Sequence, residues 1–366
     1  MKKLMKKLTM KETEVLKPTH NIIVYGDGEV RLVTDKHDML TNVTVQVFLN
    51  YCNQEEFYNK SFIINQAVFL EISEKMVHEE IATLNFENET IVFTMKDATK
   101  YIIDYIEADY NPKKIDIYKD EPNQFTIYKA DLKKIYNKKV VKQMFKSLKT
   151  DRVHLKGLSF NGSEYACTDV HRLHVHKIKN IQELSSPITI GQNTLEILLN
   201  SDGSDEIYCM LKDNKITILN GIVSLQYDND NDYPDYQGII PSRNSETRDI
   251  ELLDKKEFIK AIKKLVGTSV FLEAENKSNL KINGFDYDYK KEKDERTTIK
   301  SSIIIKKDIV CLSDILISKI RLDKDYFIEM LEAFNENKLT IELNGQHRPL
   351  LVQTETDYQI LMPLRG

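Results

Sequence analysis

A helix-then-hairpin pattern recurs three times in these 366 residues, and such a repeat limits the fold more tightly than any other feature of the chain. The first copy runs Phe69-Leu70-Glu71-Ile72, then strand-like residues from Ile81 to Phe86, a turn around Glu87-Asn88-Glu89, and Ile91-Val92-Phe93. The second runs Thr194-Leu195-Glu196-Ile197, then Ile207 to Leu211, a turn at Asp213-Asn214, and Ile216 to Leu219. The third runs Phe327-Ile328-Glu329-Met330, then Leu339 to Leu343, the turn Asn344-Gly345, and Leu350-Leu351-Val352. The three glutamates stand 125 (71 to 196) and 133 (196 to 329) residues apart. A shorter echo, Leu32-Val33-Thr34-Asp35-Lys36-His37 against Ala166-Cys167-Thr168-Asp169-Val170-His171, is offset by 134 (34 to 168). Periods this long exceed those of solenoids, so each unit is expected to be a domain with its own core. The expected segments are 1–122, 123–248 and 249–366. A total of 12 Gly and 8 Pro leaves little material for long linkers between them.

The first helix of a unit is amphipathic where it can be read. Between Ala130 and Lys149, Leu132, Ile135, Tyr136, Val141, Met144, Phe145 and Leu148 recur at three- and four-residue steps, which predicts one buried stripe. Lys134, Lys138, Lys142, Lys146 and Lys149 lie on the other side. In the third unit Asp254 with Glu257 makes a helix start, Phe258, Ile262 and Leu265 form the stripe, and Gly267 is a stop. Its lysines are 256, 260, 263 and 264. Lysine on a helix face is ordinarily solvated surface. Its recurrence at the same place in two units of a chain with net charge -5 points to a basic face inside an acidic protein.

Composition excludes several classes. Hydrophobic residues at 41% and charged residues at 30% suit a globular protein and are too apolar for disorder. Cys52, Cys167, Cys209 and Cys311 form no C-x-x-C pair, so reduced packing cysteines are expected. The basic start Met1-Lys2-Lys3-Leu4-Met5-Lys6-Lys7 leads into polar Thr9–Glu14 and not into an apolar core, which argues against a signal peptide. No run approaches eighteen apolar residues, and a cytoplasmic protein with no membrane association is expected.

Three segments carry a resemblance to a known family. Thr168-Asp169-Val170-His171-Arg172-Leu173 resembles the Thr-Asp-Gly-His-Arg-Leu signature of the bacterial DNA polymerase III beta subunit, the sliding clamp. Tyr233-Pro234-Asp235-Tyr236 with Ile239-Ile240-Pro241 is similar to that family's aromatic-Pro-Asp-Tyr segment. Ile360-Leu361-Met362-Pro363-Leu364-Arg365-Gly366 is similar to its hydrophobic-Met-Pro-hydrophobic-Arg ending. The resemblance implies an α+β fold of three DNA-clamp domains, each with two helices on antiparallel sheet, in a head-to-tail ring homodimer around double-stranded DNA. It implies a non-catalytic processivity factor without cofactors. Its partners would be the DNA polymerase catalytic subunit, the clamp loader and other proteins carrying clamp-binding peptide motifs.

By the same resemblance, a hydrophobic peptide groove would be lined by Leu155, Thr168, His171, Arg172, Leu173, Pro241, Met362, Pro363, Leu364 and Arg365. Apolar walls would take leucine or aromatic anchors, and His171 and Arg172 would fix polar groups of the peptide. Lys134, Lys138, Lys142, Lys146, Lys260, Lys263 and Lys264 are candidates to face DNA. Two departures stand out: Val170 replaces the family's glycine, and Gly366 replaces an apolar last residue.

Two other classes compete with this reading. His171, His174 and His176 with Asp169 invite comparison with a metal or acid–base site, because His-x-His puts two imidazoles on one strand face. No third ligand stands at suitable spacing, and no P-loop, Gly-x-Gly-x-x-Gly or Gly-x-Ser-x-Gly occurs, so the histidines are expected on an exposed strand beside the groove. The second competitor is a clamp-fold protein-binding scaffold that does not encircle DNA.

Overall fold

A computed structural model describes residues 21–26, 30–37, 42–48, 60–65, 81–107, 123–148, 152, 155–200, 204–220, 223–229, 233–276, 279–287, 297–306, 309–312 and 320–364. The helix expected around Phe69–Ile72, Lys149 and the terminal Arg365 and Gly366 lie outside the described residues.

Among the described residues eight strands come first: β1 (Asn21–Gly26), β2 (Val30–His37), β3 (Asn42–Phe48), β4 (Lys60–Asn65), β5 (Ile81–Glu87), β6 (Thr90–Met95), β7 (Lys100–Glu107) and β8 (Gln124–Tyr128). Helices α1 (Lys129–Tyr136) and α2 (Lys139–Ser147) follow, then β9 (Gly157–Phe160), β10 (Glu164–Thr168), β11 (Arg172–Lys177) and β12 (Ile188–Gly191). Next are α3 (Gln192–Asn200), β13 (Glu206–Lys212), β14 (Lys215–Asn220), β15 (Val223–Asp228) and β16 (Arg248–Leu252). The rest are α4 (Lys255–Lys263), β17 (Ser269–Asn276), β18 (Asn279–Tyr287), β19 (Thr297–Ile305), β20 (Val310–Leu312), β21 (Ile320–Asp323), α5 (Lys324–Glu332), β22 (Leu339–Leu343), β23 (Leu350–Gln353) and β24 (Asp357–Leu361).

The chain forms two compact units. The first, Met1–Lys133 with Gln182–Asp232, contains an antiparallel sheet in the order β5-β6-β7-β4-β1-β2-β3-β15-β14-β13-β8. Its hairpins turn where the sequence asks for it. Asn88-Glu89 and Asp213-Asn214 each supply two residues at positive φ, the backbone that matches strand twist in a two-residue loop. Phe62 meets Phe86 tilted at 4.4 Å and Tyr105 edge-on at 4.6 Å between ring centres, and Ile91, Phe93 and Ile103 of the same unit are buried.

The second unit, Lys134–Ile181 with Tyr233–Gly366, carries the strand order β9-β10-β11-β24-β23-β22-β16-β20 and a separate sheet β19-β18-β17-β21. Helices α4 and α5 cover a core built from Phe258, Ile262, Phe327, Met330 and Leu331 against inward residues of both sheets. The α4 start behaves as its sequence predicts, since Asp254 accepts the Glu257 amide at 3.1 Å. Asp323 does the same for α5, accepting from the Tyr326 amide at 2.9 Å.

The units follow the sheets and not the repeats, because β3 pairs with β15 and β11 with β24 across the sequence boundaries at 122 and 248. The single helix expected from 130 to 149 is instead two. Lys138 takes an extended backbone (φ -63°, ψ 132°) between α1 and α2, although the apolar stripe is buried on both sides of the break.

Candidate functional site

The hairpin β10–β11 and the strand β24 beside it assemble most of the residues that the sequence singled out. Strand β11 pairs with β24 so that Arg172 faces Leu361, His174 faces Gln359 and His176 faces Asp357. Alternation then gives β11 two different faces. Leu173 and Val175 pack with Ala166, Tyr236, Leu351, Tyr358 and Ile360, with Tyr233 and Ile240 against them. Arg172, His174 and His176 point the other way, and all three are buried. The histidine-bearing strand is therefore not exposed, which corrects the reading of His174 and His176.

The Tyr233-Pro234-Asp235-Tyr236 segment is fixed to the apolar face through a buried carboxylate. Glu164 accepts from Tyr236 Oη at 3.0 Å, Gln237 Nε2 at 2.6 Å and Tyr358 Oη at 3.3 Å, while Tyr233 Oη donates to the Ala166 carbonyl at 3.4 Å. Pro241, Met362, Pro363 and Leu364 are half-buried, Leu155, Thr168 and Leu173 are buried, and His171 is exposed. The Met362 amide donates to the His171 carbonyl at 2.9 Å and the Leu364 amide to the Arg321 carbonyl at 2.8 Å, which ties the tail to the β10–β11 turn.

Arg172 departs from its expected role. Its Nε donates to Asp169 Oδ2 at 3.0 Å, its Nη1 pairs with Glu329 on α5, and its guanidinium lies 4.1 Å from the Tyr326 ring centre. Burial would lower its pKa, but Asp169 and Glu329 outweigh that and raise it. The group is committed inside the chain and holds the turn against α5, so it is not available to fix a peptide.

Lys138 is likewise withdrawn from the DNA-facing set. Its Nζ sits 2.7 Å from Asp357 Oδ1, with the side chain 17% exposed. His176 Nδ1 approaches the same oxygen at 3.1 Å and His174 Nε2 at 3.4 Å, the latter without hydrogen-bond alignment. Burial alone would raise the Asp357 carboxyl, but its contacts with His174, His176 and Lys138 and the lysine charge hold it far below the usual carboxylate range. Burial lowers the His174 pKa to about 4, opposed by Asp357 and helped by the Lys138 charge. Asp357 went unnoticed in the sequence. The signal for it was the His-x-His spacing, which asks for a partner whenever both imidazoles are buried. Among the described residues no group of three or more His, Cys, Asp or Glu is arranged to hold a metal ion.

The other candidate lysines are exposed on helices of the second unit: Lys134 on α1, Lys142 and Lys146 on α2, Lys260 and Lys263 on α4 and Lys264 at its end. Helix α5 packs against both α2 and α4, and its Glu332 bridges them, pairing with Lys139 at 3.3 Å and Lys263 at 2.6 Å. Lys139 did not stand out in the sequence, because the helix break at Lys138 lies just before it.

Val170 sits at the tip of the β10–β11 turn with φ +79°, the left-handed region, and is 50% exposed. A β-branched residue there is strained by about 1–3 kcal/mol, against a glycine entropy cost of about 0.5–1 kcal/mol. Val170→Gly is therefore expected to stabilise the protein by about 1 kcal/mol, read as a higher urea midpoint at unchanged slope. A lower midpoint would mean that the turn is not strained.

No family model matches the chain, and no curated protein matches it in sequence. Solved structures do match over its whole length. The chain is similar to DNA polymerase III beta subunit from Thermotoga maritima, with TM-score 0.69 at 15% identity, covering 100% of this chain and 96% of that one. The DNA polymerase sliding clamp from Bacillus subtilis gives 0.67 at 18%, covering 100% and 97%. The Helicobacter pylori beta clamp, bound to a DNA ligase peptide, gives 0.65 at 16%, covering 100% and 96%. The chain has the sliding-clamp fold. The expected mixed architecture of helices on antiparallel sheet is thereby confirmed, and the β11–β24 seam with its attached tail is part of a clamp fold. No described helix is long and apolar enough to cross a membrane.

Proposed function

We propose that this chain is a DNA sliding clamp, a non-catalytic, cytoplasmic processivity factor whose subunits close head to tail around double-stranded DNA. Each subunit contributes three repeated domains, 1–122, 123–248 and 249–366. The observation that carries the reading is a repeated seam. Strand β3, which closes the β1–β2–β3 meander of the first repeat, pairs with the last strand of the second, β15; β11, which closes the β9–β10–β11 meander of the second repeat, pairs with the last strand of the third, β24. Strand β19, which closes the corresponding β17–β18–β19 meander of the third repeat, ends its sheet among the described strands, with Ile299 and Ile304 exposed.

Continuing the rule requires the last strand of a first repeat, β7, from a second copy. Residues 100–104 of β7 pair on one side with β6, whereas β4 reaches only residues 105–107, and Ile102 is exposed. A nine-residue edge strand with exposed isoleucines is an open template for another strand. Two such junctions related by a twofold axis close the assembly.

The lysines on α1, α2 and α4 would then face phosphate without reading bases, which suits sliding. Lys134, Lys142, Lys146, Lys260, Lys263, Lys264 and the additional Lys139 are the candidates. The half-buried tail Met362-Pro363-Leu364 beside His171, Leu173 and Pro241 would receive short peptide motifs from a polymerase catalytic subunit, a clamp loader and repair proteins. The ligase peptide on the Helicobacter clamp supports this use.

The purified protein is expected at about twice 42.7 kDa in solution. Once loaded, it should stay on circular DNA at high salt and leave when the DNA is linearised. Equal loss from circular and linear DNA would favour a protein-binding scaffold that does not encircle DNA. Deleting residues 362–366 should abolish binding of polymerase-derived peptides and leave the dimer intact, as measured by peptide titration and mass. Retained affinity would place the peptide site elsewhere.

A further inference from the structure

Helix α5 ends on a carboxylate, where helix electrostatics disfavours one. The last turn of a helix carries unpaired carbonyl oxygens and the negative end of the dipole, yet Glu332 stands there and no basic residue accompanies it on that turn. Partners on two other helices account for its place. Its Oε1 accepts from Lys263 Nζ of α4 at 2.6 Å, and its Oε2 accepts from Lys139 Nζ of α2 at 3.3 Å. The hydrogen bond from Lys263, and after it that from Lys139, outweigh burial and hold the carboxyl below the usual carboxylate range.

Neither lysine is committed to the interior. Their side chains are 69% exposed at Lys139 and 55% at Lys263, unlike that of Lys138. Ion pairs this open to water contribute little to stability, so each lysine can exchange its partner at small cost. The carboxylate spans the two cations with the two oxygens of one singly charged group, and a backbone phosphate of DNA offers the same pair of oxygens and the same charge. Lys142, Lys146 and Lys260, exposed on the same two helices, have no such carboxylate bridge between helices.

We propose that Glu332 is a built-in counter-anion of the basic face: it occupies Lys139 and Lys263 in the absence of DNA, and a phosphate must displace it to reach them. The inference rests on the reading of α2 and α4 as a DNA-facing surface and deepens it. A carboxylate fixed beside two cations lowers the charge that the face presents, so it weakens the hold on any one phosphate and makes that hold less dependent on salt than the lysines alone would. Glu332 thereby limits affinity where a clamp gains by not gripping. It is a tuning residue and makes no contact with DNA itself.

The test uses the full-length protein and a fluorescent DNA duplex of about 30 base pairs, with affinity followed by anisotropy from about 25 to 200 mM KCl. Glu332→Gln removes the charge and keeps the shape. Glu251→Gln makes the same change in net charge on β16, where Glu251 is exposed while its neighbours Ile250 and Leu252 enter the core beneath α4 and α5. Glu332→Gln is expected to bind about tenfold more tightly at the low-salt end, and to steepen the fall of log affinity with log salt by about 1. Glu251→Gln should match wild type, and adding Lys139→Ala and Lys263→Ala to Glu332→Gln should cancel its gain. Equal slopes for wild type and Glu332→Gln, or equal gains for the two glutamine variants, would overturn the role of Glu332. A lowered urea midpoint for Glu332→Gln with unchanged DNA affinity would overturn it too, in favour of a purely structural clasp. Loss of affinity in Lys142→Ala with Lys146→Ala would keep the DNA-facing reading standing in either case; no binding by wild type at any salt would overturn that reading and the counter-anion with it.

Discussion

Replacing Arg172 by alanine is expected to cost about 3–5 kcal/mol of stability, the largest effect of any single side chain at the site. The guanidinium is taken from water and set between Asp169 and Glu329, with its face on Tyr326. Removing it leaves two carboxylates near one another with no cation between them, one of them almost wholly buried. Lysine should rescue little, because a point charge cannot reach two acceptors and stack on a ring at the same time. The double replacement Arg172→Met with Glu329→Met removes both ends of the longer pair and should recover part of the loss, since an apolar pair carries no desolvation cost. Urea unfolding of the four proteins decides the matter. A loss under about 1 kcal/mol for Arg172→Ala would show that the pair behaves as an exposed one.

The second large effect is a loss of stability on mild acidification, centred on His174. In the fold its pKa is lowered to about 4, against about 6.5 in an unfolded chain. Between these values the unfolded state binds a proton that the folded state refuses, so stability falls as the pH drops from 6.5 to 4. The lowered pKa corresponds to about 3 kcal/mol over the whole window and nothing above it. Asp357 adds a separate loss at lower pH. Its folded pKa lies far below the usual range, so its contribution is present above about 3.9 and disappears as the pH falls below that value. His174→Leu should flatten the stability profile between pH 6.5 and 4.5 and leave the steep fall below pH 4. An unchanged profile would mean that another group carries the proton.

Much of the fold could be read from local pattern. The hairpins after Glu196 and Glu329 appear where the alternation of apolar residues puts them, the first closing on its Asp213-Asn214 turn and the second through a longer loop, 344–349, because turn chemistry and pleat period act within a few residues. The Asp254 cap is equally local. What the sequence hid was set by distant partners. The stripe from Leu132 to Leu148 has one periodicity, yet the helix breaks at Lys138, whose ammonium reaches Asp357 on a strand 219 residues away. Arg172, His174 and His176 look like the wet side of an alternating strand. They are dry because Asp169 in the turn, Glu329 on α5 and Asp357 on β24 supply their partners in place of water. The motif Thr168–Leu173 drew attention to the β10–β11 turn, but it could not reveal which of its polar residues turn inward.

The buried polar row also has a schedule. Arg172 finds Glu329 157 residues later, and His176 finds Asp357 181 residues later. At roughly 5–20 residues per second, a growing chain makes the middle segment wait about 10–40 s before Asp357 exists to meet it. Throughout that interval β11 lacks its neighbour β24, Lys138 lacks Asp357, and Arg172 has only its local partner Asp169. The seam is thus a late event in biogenesis, and its long sequence separation makes the waiting hairpin, with its free edge, the stage most in need of protection from neighbouring chains.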